Sequence, residues 1–257
     1  MTLSSHAGRA HSFNAAAAQY AANRPAYPPA LFDAVEDLAG RPLNGARVAD
    51  IGAGTGIATG LLHARGADVI AVEPGEGMAA QLRRSLPEVP LVRGNGNALP
   101  LATASVDFLT YAQAWHWTDP TYAIPEALRV LRPGGALALW WNTDPHDVGW
   151  ITDQAQRIGR HFGGEYDNKQ GSSGYRTACV FEGAPAVPDH ARRVLRWSRT
   201  VPLDTHLANI GSHSIFLVRG EATTNAFLAR EREHLLKIFP TGLVEEVYDV
   251  LLIVATP

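Results

Sequence analysis

The sequence predicts an α/β protein on a doubly wound parallel sheet, and three observations carry that prediction. Strand-like apolar runs alternate with helical periodicities from Arg47 to Trp141, an order that right-handed crossovers turn into a parallel sheet covered on both faces. Val48-Ala49-Asp50-Ile51-Gly52-Ala53-Gly54-Thr55-Gly56 leads a short apolar strand into three alternate glycines, the form of a nucleotide-binding turn between strand and helix. Ala136–Trp141 is apolar without interruption, as a strand with both faces covered must be.

In order along the chain, Phe13–Tyr20 is alanine-rich and predicts a helix ended by Arg24-Pro25-Ala26-Tyr27-Pro28-Pro29, since proline cannot continue one. Leu31, Val35 and Leu38 recur at helical spacing until Gly40 and Pro42. The first strand covers about Arg47–Ile51, and a helix over Gly56–Arg65 turns Ile57, Leu61 and Leu62 to the sheet. Asp68–Val72 is the second strand, Gly77–Ser85 the next helix, and Leu91-Val92 and Val106–Tyr111 two more strands. A helix over Tyr122–Leu131 stops at Arg132-Pro133-Gly134-Gly135, and Ala136–Trp141 follows as the fifth strand. After Asn142 a helix opens residues 150–180, which then run through glycine-rich loop at 163–164 and 171–174. Arg193–Pro202 is strand-like, Leu207–Val218 and Asn225–Phe239 are helical, and Val247–Val254 is a strongly apolar last strand. The expected organisation is a single domain over 1–257. Within it, 1–45 form a helical lid, 46–142 a ligand-binding core, 143–190 a cap insertion, and 191–257 complete the sheet.

A chain of 257 residues with 46% hydrophobic and 18% charged residues has ample material for a core. Its formal net charge of -3 does not provide the basic face that nucleic-acid binding uses. No apolar run approaches the roughly 20 residues of a membrane span, and residues 1–12 hold no apolar signal region. Cys179 is the single cysteine, which excludes an intramolecular disulfide and fits a reducing compartment. The expectation is a cytoplasmic protein, monomer or homodimer, with no nucleic-acid and no membrane partner. The histidines show no metal-site spacing and Cys179 has no partner set for zinc, so no metal is expected.

Asp50 narrows the ligand of the glycine turn. Glycines there remove Cβ atoms, so the backbone can turn tightly and lie against a ligand. A buried carboxylate at that strand end repels a pyrophosphate and attracts a cation. S-adenosylmethionine (AdoMet), with an ammonium and a sulfonium beside its adenosine, suits such a field.

Together these motifs resemble class I AdoMet-dependent methyltransferases, in particular the small-molecule type 11 subgroup that includes trans-aconitate-type enzymes. The resemblance rests on Asp50–Gly56, the strand-tip Glu73-Pro74, Asn97-Ala98-Leu99-Pro100-Leu101 ahead of Val106-Asp107, and Leu128–Gly135. It runs from Phe13 to Trp141 and more faintly beyond. It implies a Rossmann-like, seven-stranded, mostly parallel sheet with helical cap elements and an antiparallel last strand, for which Val247–Val254 is the candidate. It also implies AdoMet as cofactor, S-adenosylhomocysteine as its product, and a small-molecule methyl acceptor.

On this resemblance Gly52, Ala53 and Gly54 lie against the cofactor's methionine portion and ribose. Glu73, about twenty residues past the first strand, accepts hydrogen bonds from both ribose hydroxyls. Pro74 to Met78 line the adenine, with core packing as the alternative for Met78. Asn95, Gly96 and Asn97 stand where the family commonly places an Asp on the adenine amino group. Asn95 either accepts that bond through its carbonyl or makes a plain turn. Phe13, Tyr20, Arg24 and Tyr27 resemble an aromatic and Arg-Pro element that folds over the cofactor, Phe13 toward the substrate. Arg24 either pairs with the cofactor carboxylate or is solvated.

Ala112–Trp117 follows the fourth strand, on the edge where such sheets bind ligands. Gln113 is expected next to the cofactor, and Trp115 and Trp117 flank His116 as a substrate wall or as a packed turn. His116 has the intrinsic pKa of a general base near neutral pH, and a histidine held within the turn is the other reading. Trp141, with Trp140 and Asn142, is either the opposite wall or strand-end packing. His213, in Gly211-Ser212-His213-Ser214, resembles a substrate-facing stretch of the subgroup.

The expected reaction is in-line methyl transfer to an O, N or C nucleophile, with oxygen or carboxylate slightly favoured. A carboxylate needs no base, whereas a hydroxyl or amine would use His116. A nicotinamide dehydrogenase is disfavoured by Asp50 and by Ile57 after Gly56. A nucleic-acid amino-methyltransferase is disfavoured by Ala112-Gln113-Ala114-Trp115 where Asn/Asp-Pro-Pro-aromatic is usual. A protein of this fold that binds AdoMet and catalyses another reaction, or only binds it, stays open.

Overall fold

A computed structural model describes residues 21–163, 180–181 and 189–257. The expected helix at Phe13–Tyr20, Phe13 and Tyr20 as site residues, and the loop at 171–174 lie outside the described residues.

Helix α1 (Pro29–Ala39) opens on a proline, whose fixed φ suits a first helical turn, and closes on Gly40 at φ 64°. Its Leu31, Phe32 and Val35 are buried. Strand β1 (Arg47–Ile51) leads to α2 (Ile57–Ala64), β2 (Asp68–Val72) to α3 (Glu76–Ser85), and then come β3 (Leu91–Val92) and β4 (Val106–Ala112). A 3-10 turn at Trp115–Trp117, helix α4 (Pro120–Val130) and strand β5 (Leu131–Thr143) follow. The strands of the described residues form one seven-stranded sheet in the order β3-β2-β1-β4-β5-β7-β6. In it β6 is His190–Pro202 and β7 is Leu243–Ala255. β1 pairs in parallel with β2 from Arg47↔Asp68 to Ile51↔Val72, and in parallel with β4. β4 and β5 are also parallel.

Helix α4 ends at Val130, ahead of the stop expected at 132–135, and these stop residues are counted within β5. Val106 pairs with Leu131 and Phe108 with Ala136, so the intervening Arg132–Gly135 bulge from the ladder. A side chain at Gly135 would stand 2.9 Å from the Arg132 carbonyl, which is why glycine occupies that point.

Two compact units interleave along the chain. One holds Ala26–Trp141, Arg176–Leu195 and Val250–Pro257, the other Met1–Pro25, Asn142–Tyr175 and Arg196–Asp249. The core of the first gathers Ile51, Leu109, Tyr111, Trp115, Leu139 and Trp141. Trp140 is fully buried with Tyr27 and Phe32 edge-on at 5.9 and 6.0 Å, pairs worth about 0.5–1.5 kcal/mol each beyond burial.

The second unit contains α5 (Gly149–His161), α6 (Leu203–Gly211), α7 (Ser214–Leu217) and α8 (Glu221–Ile238), packed around Ile158, Phe162, Leu207, Phe216, Phe227 and Leu235. The single helix expected over Leu207–Val218 is broken here. Ser212 Oγ donates to the Asn209 carbonyl at 2.6 Å, and His213 turns extended at ψ 143° before α7, a serine competing locally for helix carbonyls. A buried polar chain crosses this unit: Arg157 to Glu231, Gln154 bridging Glu231 and His206, His206 to Glu246, and Glu246 to Arg199. On β6 and β7 the partners run Arg196 with Asp249, Trp197 with Tyr248, and Arg199 with Glu246. Numbers that rise on one strand as they fall on the other mean antiparallel pairing, so β7 is the antiparallel last strand that was expected. Among the described residues no helix is long and apolar enough to cross a membrane.

Candidate functional site

The glycine turn sits on the tips of β1 and β2, and its N–H groups are already engaged. Gly52 and Ala53 both donate to the Val72 carbonyl, at 2.8 and 3.2 Å, and Gly54 donates to Glu73 Oε2 at 2.8 Å. Glu73 Oε1 takes the Gly75 N–H at 2.6 Å. One carboxylate thus fastens the turn to the tip of β2. Its burial pushes the Glu73 pKa above the usual range against the pull of these two N–H groups.

The three glycines serve different ends. Gly52 has φ +67°, and a Cβ there would stand 2.6 Å from the Ala114 Cβ, so the turn touches the loop after β4 backbone to side chain. Gly54, at φ +59°, has, among the described residues, only the Gly52 carbonyl within 4.0 Å of a Cβ, which leaves a cradle above the turn among those residues. Gly56 seats the start of α2 against Leu82 of α3 and Leu86 just past its end. Thr55, next to the cradle, keeps its Oγ1 buried with no hydrogen-bond partner.

Asp50 has no exposed surface, and its two oxygens accept from Thr59 Oγ1 at 2.6 Å and Thr110 Oγ1 at 2.9 Å. Desolvation pushes its pKa up to about 6, and the two threonine hydroxyls oppose that rise. Asp50 is thus the buried carboxylate expected at this strand end: it braces β1 against α2 and β4, and would act on a ligand through its field. Neither threonine announced itself in the sequence, though Thr59 sits in the first turn of α2.

Several other expected contacts are spent on packing. Met78 is buried in the first turns of α3, the packing role weighed for it. Gly96 is closed in by Thr118 and Tyr111, with a virtual Cβ 2.6 Å from Thr118 Cγ2. Asn97 Oδ1 accepts the Asp119 N–H at 2.8 Å, ahead of α4. Asn95 is exposed, and its Oδ1 takes the Asn97 N–H at 2.9 Å, a turn of the Asx type. Pro74 is exposed at the tip of β2, its carbonyl accepting from Arg93.

The aromatic loop after β4 is only partly a wall. Trp115 is buried, edge-on to Tyr111 at 4.9 Å, and its Nε1 donates to the Val180 carbonyl at 2.8 Å. Of the two readings for Trp115, substrate wall and packed turn, this burial matches the packed turn. Trp141 is 1% exposed, and its Nε1 donates to His116 Nδ1 at 3.4 Å, so Trp141 likewise cannot offer a surface. His116 and Trp117 are half-buried, with ring centroids 4.8 Å apart. Gln113 takes φ 57°, rare for a non-glycine, while its N–H donates to the Trp140 carbonyl at 2.9 Å.

Arg24 and His213 belong to the other unit. There Arg24 Nη2 donates to the Ser212 carbonyl at 3.4 Å, and Arg199 Nη2 to the Asn23 carbonyl at 2.9 Å. Desolvation pushes the His213 pKa well below its usual range, and the neighbouring Arg24 and His206 act in the same direction.

Residues 49–139 match a family model described as a methyltransferase domain. An uncharacterized methyltransferase of Mycobacterium tuberculosis is 46% identical over 149 residues, which cover 58% of this chain and 59% of the relative. The chain thus spans about three-fifths of the length of such curated relatives. A malonyl-[acyl-carrier protein] O-methyltransferase of Methylococcus capsulatus is 46% identical over 99 residues, 36% of each chain. A solved structure from Anaeromyxobacter dehalogenans, assigned to the type II methyltransferases, superposes with a TM-score of 0.62 at 28% identity, covering 90% of this chain and 95% of that one.

Proposed function

We propose, from the premise that this chain carries a class I AdoMet-dependent methyltransferase domain, that it transfers a methyl group from AdoMet to a small-molecule acceptor. The observation that carries the cofactor reading is the state of the glycine turn. The N–H groups of Gly52, Ala53 and Gly54 are consumed by Val72 and Glu73, and two carboxylates, Asp50 and Glu73, lie at the turn. Nucleotide turns that hold a pyrophosphate do so with N–H groups and a positive field. Here the donors are spent and the field is negative, which suits a cation.

The residues present fit AdoMet. Gly54 leaves the cradle that a Cβ would fill, Thr55 Oγ1 is a buried polar atom awaiting a partner, and each Glu73 oxygen retains a lone pair for a ribose hydroxyl. When bound, AdoMet supplies an electrophilic methyl group on a positively charged sulfur. The chain's part is to orient it and to exclude water. Asp50 and Glu73 place negative charge near the cation, and the contact of Gly52 with Ala114 brings the loop bearing Gln113 and His116 beside the turn. The O-methyltransferase among the relatives supports an oxygen nucleophile.

Calorimetry with AdoMet, S-adenosylhomocysteine, NADH and NADPH tests the cofactor. AdoMet binding without a nicotinamide response is expected, and the reverse would sink the reading. Release of S-adenosylhomocysteine over a panel of acids, alcohols, amines and nucleic acids then tests the acceptor class, with turnover expected among the small molecules only.

A further inference from the structure

We propose that the second unit holds a ligand site of its own, which takes an organic ammonium between the Asp144 carboxylate and the Asn209 side-chain carbonyl. The methyltransferase reading is not needed for it. Asn209, on α6, is 5% exposed, and its Oδ1 is buried with no hydrogen-bond partner among the described residues. Its Nδ2 donates to Tyr248 Oη at 3.3 Å. The identity of the two amide ends follows from Tyr248. Against the desolvation of its burial, His206 and Arg199 hold the Glu246 pKa below the usual range. An ionised carboxylate can only accept, so the Tyr248 hydroxyl gives its proton to Glu246. The amide end facing that hydroxyl is then the NH2, and the carbonyl is the end left over.

Asp144 follows β5 and lies beside Tyr248, whose phenol feels its charge. Its charged neighbours are His206, His146 and Glu246, with no Lys or Arg among them. It makes no hydrogen bond or ion pair among the described residues. Arg24, beside His213, gives Nη2 to the Ser212 carbonyl at 3.4 Å and is not among the groups that Asp144 feels. Desolvation raises the pKa of Asp144 and of Tyr248 and lowers that of His213, yet all three residues are only half-buried. Side chains that lose their water while keeping some exposed surface line a concavity. These walls all belong to the one unit.

What Asp144, Asn209 and Tyr248 still offer are acceptors: a carboxylate, an amide carbonyl and a phenol lone pair. The complement is a group that brings donors and positive charge. A primary ammonium has three N–H bonds to give, whereas a carboxylate or phosphate would face the charge of Asp144. Trp197, stacked on Tyr248 at 5.3 Å between centroids, adds an aromatic pair to the same wall, and aromatic faces attract cations. An ammonium held this way has no lone pair with which to attack. The site therefore recognises its ligand and does not activate it.

Titration calorimetry of the full chain near neutral pH, with n-butylamine and benzylamine against n-butanol, benzyl alcohol, benzoate and potassium chloride, tests the proposal. Saturable binding of both amines and no response to the others is expected. Asp144→Asn should weaken the amines roughly ten- to hundred-fold, the size of a hydrogen bond to a charged group, and Asn209→Ala should weaken them less. Because Asp144 has no protein partner, Asp144→Asn should also unfold at a higher temperature than the wild type when no amine is present. Its loss of binding is then not a loss of fold. With S-adenosylhomocysteine saturating, the amine affinity should persist, which separates this site from the cofactor's. No response to amines, an equal response to the alcohols or to benzoate, or a response to potassium chloride alone overturns the proposal. So does amine binding that survives Asp144→Asn or is displaced by S-adenosylhomocysteine. Failure to bind AdoMet would strike the methyltransferase reading and leave this result standing.

Discussion

Replacing Asp50 with asparagine isolates the cost of burying a charge beneath the glycine turn. Desolvation raises the Asp50 pKa from 3.8 to about 6 in the folded protein. The folded state therefore holds this proton more tightly than the unfolded chain does. Between about pH 4 and 6 the unfolded chain has released the proton while the folded one still keeps it. Stability then falls as pH rises through that window and levels off above it. A shift of about two units at ~1.4 kcal/mol each gives about 3 kcal/mol. The amide introduced by Asp50→Asn has the same shape and no titration, and the hydroxyls of Thr59 and Thr110 can reorient to it. Denaturant unfolding of both proteins in steps from pH 4 to 7 checks this. The advantage of the wild type over Asp50→Asn should shrink by about 3 kcal/mol, or about 6–12 °C in Tm for a chain of this size. Parallel stability curves would refute the idea that Asp50 is held protonated by desolvation. The same charge acts on the ligand, so the preference for AdoMet over S-adenosylhomocysteine should increase as pH passes 6. A preference that does not change with pH would remove the field from the account of the cofactor.

Other substitutions test other parts of the site. Gly52→Ala combines a strained φ with a 2.6 Å approach to Ala114, and should cost about 2–4 kcal/mol in unfolding experiments together with AdoMet affinity. Gly54→Ala meets no such neighbour among the described residues; its loss of stability should stay near the ~1–2 kcal/mol of backbone strain, while its Cβ in the cradle lowers AdoMet binding by calorimetry. Glu73→Ala should weaken AdoMet by about 1–3 kcal/mol and also lower Tm, because the N–H groups of Gly54 and Gly75 lose their acceptor. Trp115→Phe should cost roughly 1–3 kcal/mol of stability through the stranded Val180 carbonyl, with AdoMet affinity unchanged; a loss of affinity alone would return Trp115 to the site.

The regular part of the fold was legible because its signals are local. Arg47–Ile51, Asp68–Val72 and Leu91-Val92 are strands with the expected limits, since continuous apolar runs between glycine and proline signals leave little choice. Positions set by distant partners were not legible. An indole on a turn looks the same in sequence whether it faces a substrate or the core. The acceptor that decides the case for Trp115, Val180, lies 65 residues further on. Asp50 was correctly read as buried, but Thr110, one of its two partners, comes from a different strand 60 residues away. The stop at Arg132–Gly135 was legible, since α4 ends at Val130, but the bulge these residues make in β5 was not, because proline and glycine end either element.

The missing side chain at Gly52 also has a thermodynamic meaning. The methyl group of Ala114, in the loop bearing Gln113 and His116, stands where a Cβ at Gly52 of the glycine turn would stand. A displacement of one bears on the other through that close approach. Occupancy of the turn and occupancy of the loop are then linked functions, and the factor by which the first ligand changes the affinity of the second equals the factor in reverse. Enlarging residue 114 should alter that mutual factor.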